Sequence, residues 1–127
     1  MPWPQCNNMT SSQWGRGSPG AFNVIMRGVH DLGGLAAGPV DRGEHALSFF
    51  EQRVDGMMRL LMHPDSGHFT VDAMRRAIES LPPEAYHALS YYERWLCAMH
   101  RLVLERGLVS EAELAARVQS LGAGNKP

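Results

Sequence analysis

Lysine is almost missing from this chain: eleven of its twelve basic residues are arginine, and Lys126 is the exception. No charge of one sign dominates either, because the formal net charge is -1. That balance offers no basic field for a nucleic acid and no polybasic stretch for a lipid surface. No apolar run approaches the roughly 20 residues needed to cross a bilayer. The N-terminus lacks the charged start and apolar core of a secretory leader. A cytoplasmic protein with no membrane partner is therefore expected. The two cysteines, Cys6 and Cys97, lie far apart in very different contexts. They indicate neither a disulfide framework nor a cysteine cage for a metal. Six histidines are scattered at positions 30, 45, 63, 68, 87 and 100, and no two lie three or four apart. Zinc needs three or four convergent ligands, so no metal site is expected on this chain. A lysine-bearing phosphate loop is also missing, and Gly15-Arg16-Gly17 lacks the strand and helix that would give its glycines meaning.

What is present is helical. A chain of 127 residues, 44% of them apolar, suits one domain with a modest core. Residues 1–25 are rich in Pro, Gly, Asn and Ser without apolar periodicity, and read as a flexible extension. Residues 26–43 hold Gly28, Gly33, Gly34, Gly38, Pro39 and Gly43, and read as an extended arm. From about residue 44 the spacing of Leu47, Phe50, Val54, Met57 and Leu61 predicts a helix that stops before Pro64. Thr70 can cap a second helix with Asp72 in its first turn and Val71, Met74, Ile78 and Leu81 on its apolar face. Pro82-Pro83 end it and open a third, long helix over about 83–106, with Gly107 as its left-handed terminator. Ser110 and Glu113 have capping-box spacing and start a fourth helix running to about Leu121. The helical domain is thus 44–121, residues 122–127 are a frayed end, and the class is all-α.

Three local features carry possible chemistry. Arg75 stands between Asp72 and Glu79 at helical spacing. It either closes a local ion pair or presents a planar fork of donors, aimed by those carboxylates, to an anionic group on another chain. Tyr92 falls on the apolar stripe of the long helix, whereas Tyr91 shares the other face with Glu84, His87, Arg94 and Arg101. Tyr91 is either an ordinary half-buried tyrosine or a phenol projecting into a partner or pocket. The arm cannot bury itself alone, and together with Phe49, Phe50, Trp95 and eight methionines it points to a surface shared with another chain.

Three segments, in order and in register, resemble the β subunit of nitrile hydratase. The first is Met26-Arg27-Gly28-Val29-His30-Asp31-Leu32-Gly33-Gly34 with Gly38-Pro39-Val40, similar to the arm that opens that family's β chain. The second runs from Phe69 to Glu79, where Asp72, Arg75, Ile78 and Glu79 match an arginine-bearing helix. The third holds Tyr86, then Ser90-Tyr91-Tyr92-Glu93-Arg94-Trp95-Leu96, then Glu105 and Gly107. The match covers about residues 26–118, the N-terminal half of such a β chain.

The resemblance implies a subunit that binds no metal, is inactive alone, and completes a low-spin Co(III) or Fe(III) site on a partner α subunit. That site lies in a Cys-Thr/Ser-Leu-Cys-Ser-Cys loop, two of whose cysteines are oxidised, and a small nitrile is hydrated there to an amide. Arg75 corresponds to the arginine that hydrogen-bonds the oxidised cysteines, Tyr91 to a tyrosine near the substrate, and Glu79 to a carboxylate behind them. Val71 and Met74 match positions lining the pocket, and His30, Asp31, Gly33, Gly34 and Trp95 match the subunit interface. Arg94 stands where many relatives carry a histidine, so that outer relay is not expected here. A full β chain continues into a β-barrel that supplies a second arginine, so a separate barrel-type subunit is the expected source, as in three-subunit relatives such as thiocyanate hydrolase or toyocamycin nitrile hydratase. Met26 aligns with the family's initiator, which leaves 1–25 as either an annotation artefact or a dispensable extension. The resemblance also allows a metallochaperone that activates the α subunit, although those relatives usually lack the His-Asp-x-Gly-Gly arm, or a thiocyanate hydrolase-type subunit.

Overall fold

The structure is a computed structural model that describes residues 28–36, 38–40 and 42–123. The extension expected at 1–25 lies outside the described residues. Five helices follow one another: α1 Phe49–Met62, α2 Val71–Glu79, α3 Pro83–Ala88, α4 Tyr91–Glu105 and α5 Glu111–Ala123. Among the described residues there is no strand, so the all-α class holds.

The helix starts are written in side-chain caps. Ser48 accepts from the Glu51 amide while the Glu51 carboxylate accepts from the Ser48 amide at 2.7 Å, a reciprocal capping box. α1 therefore begins at Phe49, later than the apolar spacing suggests, and residues 42–48 are non-helical and exposed. It ends, as expected, before Pro64. Thr70 caps α2 by accepting from the Ala73 amide at 3.3 Å.

The expected single helix over 83–106 is two helices. Leu89 is extended, and Ser90 and Glu93 form a second capping box, so the chain is recapped in the middle of the apolar stripe. A fresh N-terminus whose free amides are already satisfied costs little. Leu89 packs against the small cluster of Leu81 and Cys97 instead of continuing the stripe. α4 closes in a Schellman turn: the Leu108 amide donates to the Val103 carbonyl at 2.9 Å and the Gly107 amide to Leu104 at 3.0 Å. Gly107 has φ 65°, a left-handed conformation that glycine adopts without a Cβ clash.

α4 is the centre of the molecule and packs against α2 and α1. Its Ala98, Met99 and Leu102 are buried with Val54 of α1, Met74 and Ala77 of α2, and Phe69 just before α2. Phe50, Met58, Leu61, Tyr92, Trp95 and Leu96 close the edges of this cluster. A smaller cluster joins Leu81 to Cys97. Cys97 is disulfide-bonded, whereas the spacing of the cysteines indicated no disulfide framework. None of the described side chains of α5 is buried, and Leu114 and Val118 are its half-buried positions. None of the described helices is long and apolar enough to cross a membrane.

Candidate functional site

The capped start of α2 fixes the helix on which most of the candidate residues sit. Val71, Arg75 and Glu79 recur every four residues and share its exposed face, with Asp72 beside them. Met74 turns inward and is only 5% exposed, as part of the main core. Of the two residues expected to line a pocket, Val71 is therefore the one with an exposed apolar surface.

Two neighbouring arginines on α2 have opposite fates. Arg76 reaches α4, where its Nη2 donates to Glu105 Oε2 at 2.6 Å and its Nη1 to Oε1 at 3.4 Å. Glu105 also accepts from Arg101 Nε at 2.6 Å, and Arg101 donates to the Ser80 hydroxyl at the end of α2. Rising numbers on α2 thus meet falling numbers on α4, and the two helices run antiparallel. The Arg76 hydrogen bond holds the Glu105 carboxyl below its ordinary range, with Arg101 adding to the effect, and Arg76 is raised in turn. Arg75 has no such tie. It is exposed, and among the described residues neither Asp72, nor Glu79, nor any other group forms a hydrogen bond or ion pair with it. Neither the local pair nor the aiming by Asp72 and Glu79 is formed.

The arm meets this face at one point. His30 Nε2 lies 4.0 Å from Glu79 Oε1. A turn closed by the Asp31 amide on the Gly28 carbonyl, at 2.9 Å, folds the imidazole back over Gly28. A Cβ at Gly28 would stand 2.7 Å from His30 Cε1, so any larger residue there must push the ring aside. Asp31, Gly33 and Gly34, the other expected arm contacts, are exposed. So are Leu32, Leu35 and Val40, the last at 83%. The arm offers apolar side chains that the described residues do not cover.

Tyr91 opens α4 and is 58% exposed. Its ring meets Tyr92 edge-on at 5.3 Å and lies tilted against Trp95 at 4.9 Å. Trp95, expected at an interface, is half-buried and also packs on Tyr92 at 5.5 Å. Burial raises the Tyr92 phenol, helped by Asp55 and Glu51 of α1, so it stays protonated. Tyr91 thus stands on a rigid aromatic base with its own face outward. Arg94, one turn along from Ser90, sits with its guanidinium carbon 4.7 Å from the Tyr86 ring centroid, a cation–π contact.

No hydrogen bond or ion pair among the described residues joins Arg75 to Glu79 or Tyr91. The structure brings together His30 with Glu79, and Tyr91 with Trp95, and gives Arg75 no hydrogen-bond or ion-pair partner among the described residues. Sequence reasoning missed the Arg76–Glu105–Arg101–Ser80 cluster. The i,i+4 spacing of Arg101 and Glu105 was a signal for half of it; the link to Arg76, twenty-nine positions away, had none. It also missed His100, half-buried on α4, whose imidazole burial holds below its ordinary value against the opposing pull of Glu111. Among the described residues, no group of three or more His, Cys, Asp or Glu could hold a metal ion.

Comparison with known proteins adds the context for these positions. The family model described as nitrile hydratase beta subunit, N-terminal, matches residues 26–127. The chain is similar to the low-molecular weight cobalt-containing nitrile hydratase subunit beta of Rhodococcus rhodochrous, 37% identical over 98 residues, covering 74% of this chain and 42% of that one. It is 33% identical over 94 residues to the nitrile hydratase subunit beta of Pseudomonas putida, again covering 42% of the relative and 71% of this chain. The subunit beta of Rhodococcus erythropolis is 29% identical over 114 residues, with 49% of its length and 80% of this chain covered. The chain spans less than half the length of these relatives.

Proposed function

The chain belongs to the family of nitrile hydratase beta subunit N-terminal domains, and on that premise we propose that it is the metal-free subunit of a hetero-oligomeric nitrile hydratase. Its partner is an α-type chain bearing a cysteine-rich metal loop. A separate barrel-type chain is the second proposed partner. The observation that carries the reading is Arg75, an exposed guanidinium on the outer face of α2 that has no counter-ion among the described residues, while Arg76 beside it is bound to Glu105. A planar, permanently charged fork is suited to clasp paired anionic oxygens, such as those of oxidised cysteines, in two parallel hydrogen bonds.

The metal ion, Co(III) or Fe(III) on the partner, supplies Lewis-acid activation when bound. Among the described residues no His, Cys, Asp or Glu group could hold it, and the residues of α2 and α4 suit a supporting role around it. Arg75 holds and polarises the oxidised cysteine oxygens. Tyr91, on its Trp95 base, presents a phenol to the nitrile or the arriving water, and Val71 gives the substrate an apolar wall. Glu79 orients its surroundings from one turn beyond Arg75, with His30 bringing the arm against it. The uncovered Leu32, Leu35 and Val40 favour an arm lying across the partner, which is how a subunit would use it. A free-standing activator of the α chain has less use for such an arm.

The test is reconstitution. The chain alone should show no hydration activity and gain it when assembled with the α-type and barrel-type chains. Arg75→Lys, which keeps charge but loses the fork, should abolish turnover while size-exclusion chromatography shows the same assembly. Full activity in that variant would remove Arg75 from the proposed role.

A further inference from the structure

Adjacent helical residues point about 100° apart, so fixing one of the two arginines fixes the direction of the other. α2 is short, nine residues from Val71 to Glu79, and an isolated helix of that length does not hold itself in place. Its inner face is anchored by Met74 and Ala77, with Ala73 and Ile78 packed at the edge of the same cluster. The polar cluster adds directional ties to this apolar packing. Arg76 and Ser80 lie one turn apart on α2 and are tied to Glu105 and Arg101, one turn apart on α4. Two ties one turn apart restrain both the roll and the rise of α2 along α4. Both pass through or beside a single carboxylate, since Glu105 takes Arg76 with one oxygen pair and Arg101 with Oε1.

We infer that Glu105 is a positioning residue for Arg75: by engaging Arg76 and steadying Arg101 it locks the roll of α2 and keeps Arg75 as the guanidinium turned outward. The inference rests on the reading of Arg75 above. Without Glu105, Arg76 is released beside Arg75, so that either guanidinium can reach the same anionic target in different registers. The Glu105 side chain keeps 35% of its exposure. Partly exposed ion pairs add little to folding stability, so the value of this one lies in geometry.

The experiment compares variants within the assembled enzyme. Glu105→Ala should lower kcat about tenfold, the scale of a small misplacement of a catalytic group. KM should stay within about twofold, because binding of a small substrate does not pass through this tie. The thermal midpoint should stay within about 5 °C, the range of a minor surface interaction. Glu105→Gln, which keeps an acceptor, should fall between Glu105→Ala and the native enzyme. Arg75→Lys separates the two ideas: full activity there defeats the Arg75 reading whatever Glu105 does. If Arg75→Lys is inactive but Glu105→Ala keeps kcat within about twofold, the positioning role alone is overturned. It is equally overturned if Glu105→Ala loses activity only in step with a fall in thermal midpoint or in assembled fraction.

Discussion

The packed trio of α1, α2 and α4 and the arm over residues 28–40 follow opposite rules. In the trio, Leu102, Ala98 and Ala77 are fully enclosed, and no buried side-chain nitrogen or oxygen among the described residues lacks a partner. In the arm, Leu32, Leu35 and Val40 stand in solvent, and the backbone is held by a few local turns. Helix α2 lies between the two regimes, with Met74 and Ala77 in the core and Arg75 unpaired among the described residues. The difference teaches where each part obtains its stability. The trio draws on shared burial, whereas the arm and the outer face of α2 carry apolar groups and a guanidinium that the other described residues do not cover.

The contrast breaks first at Leu102. Leu102→Ala should cost the isolated chain about 2–5 kcal/mol, read as a fall in denaturant midpoint, because the site is closed on all sides. A loss under about 1 kcal/mol would mean that the core is loosely packed. Ser90→Ala comes next, removing one half of the capping box that separates α3 from α4. It should cost about 1 kcal/mol, and an unchanged midpoint would show the break to be held by packing alone.

A graded effect belongs to pH. Burial keeps His100 below its ordinary value of 6.5, so the unfolded chain takes up a proton before the folded one. Stability is full above that value and declines as pH drops through it. In His100→Gln the decline near that pH should disappear from a series of thermal midpoints. Glu105 and its arginines add a second window lower down, because a carboxyl held below 4.5 contributes above that value and is lost as pH falls through the folded value. The smallest effect belongs to the arm. Leu32→Ala and Val40→Ala should change the stability of the isolated chain by no more than about 0.5 kcal/mol, yet weaken its assembly with partner chains in a pull-down titration.

Much of the fold was legible because its signals are local. Thr70, Gly107 and Ser110 with Glu113 mark helix ends within a few residues of where they lie. The errors were also local, and two of them share a cause. The late start of α1 and the break before α4 both follow Ser-x-x-Glu boxes, Ser48 with Glu51 and Ser90 with Glu93, set inside an apolar spacing that reads straight through them. Leu89 supports the false continuity, because it stays apolar and partly buried while leaving the helix for a different cluster. The candidate site was legible only through resemblance. Spacing suggested that Asp72 and Glu79 would pair with Arg75, and neither does, while the carboxylate that engages neighbouring Arg76 comes from α4. Met74 has pocket spacing and core burial at once, which no one-dimensional pattern can separate.

The most direct measurement is amide hydrogen exchange of this chain with and without the metal-bearing α-type partner. Protection should rise across residues 28–40 and in the exposed positions of α2, while Val54, Met99 and Leu102 exchange slowly and alike in both states. Unchanged exchange in the arm and α2 on adding the partner, or protection arising instead in the core, would contradict the division of the molecule drawn above.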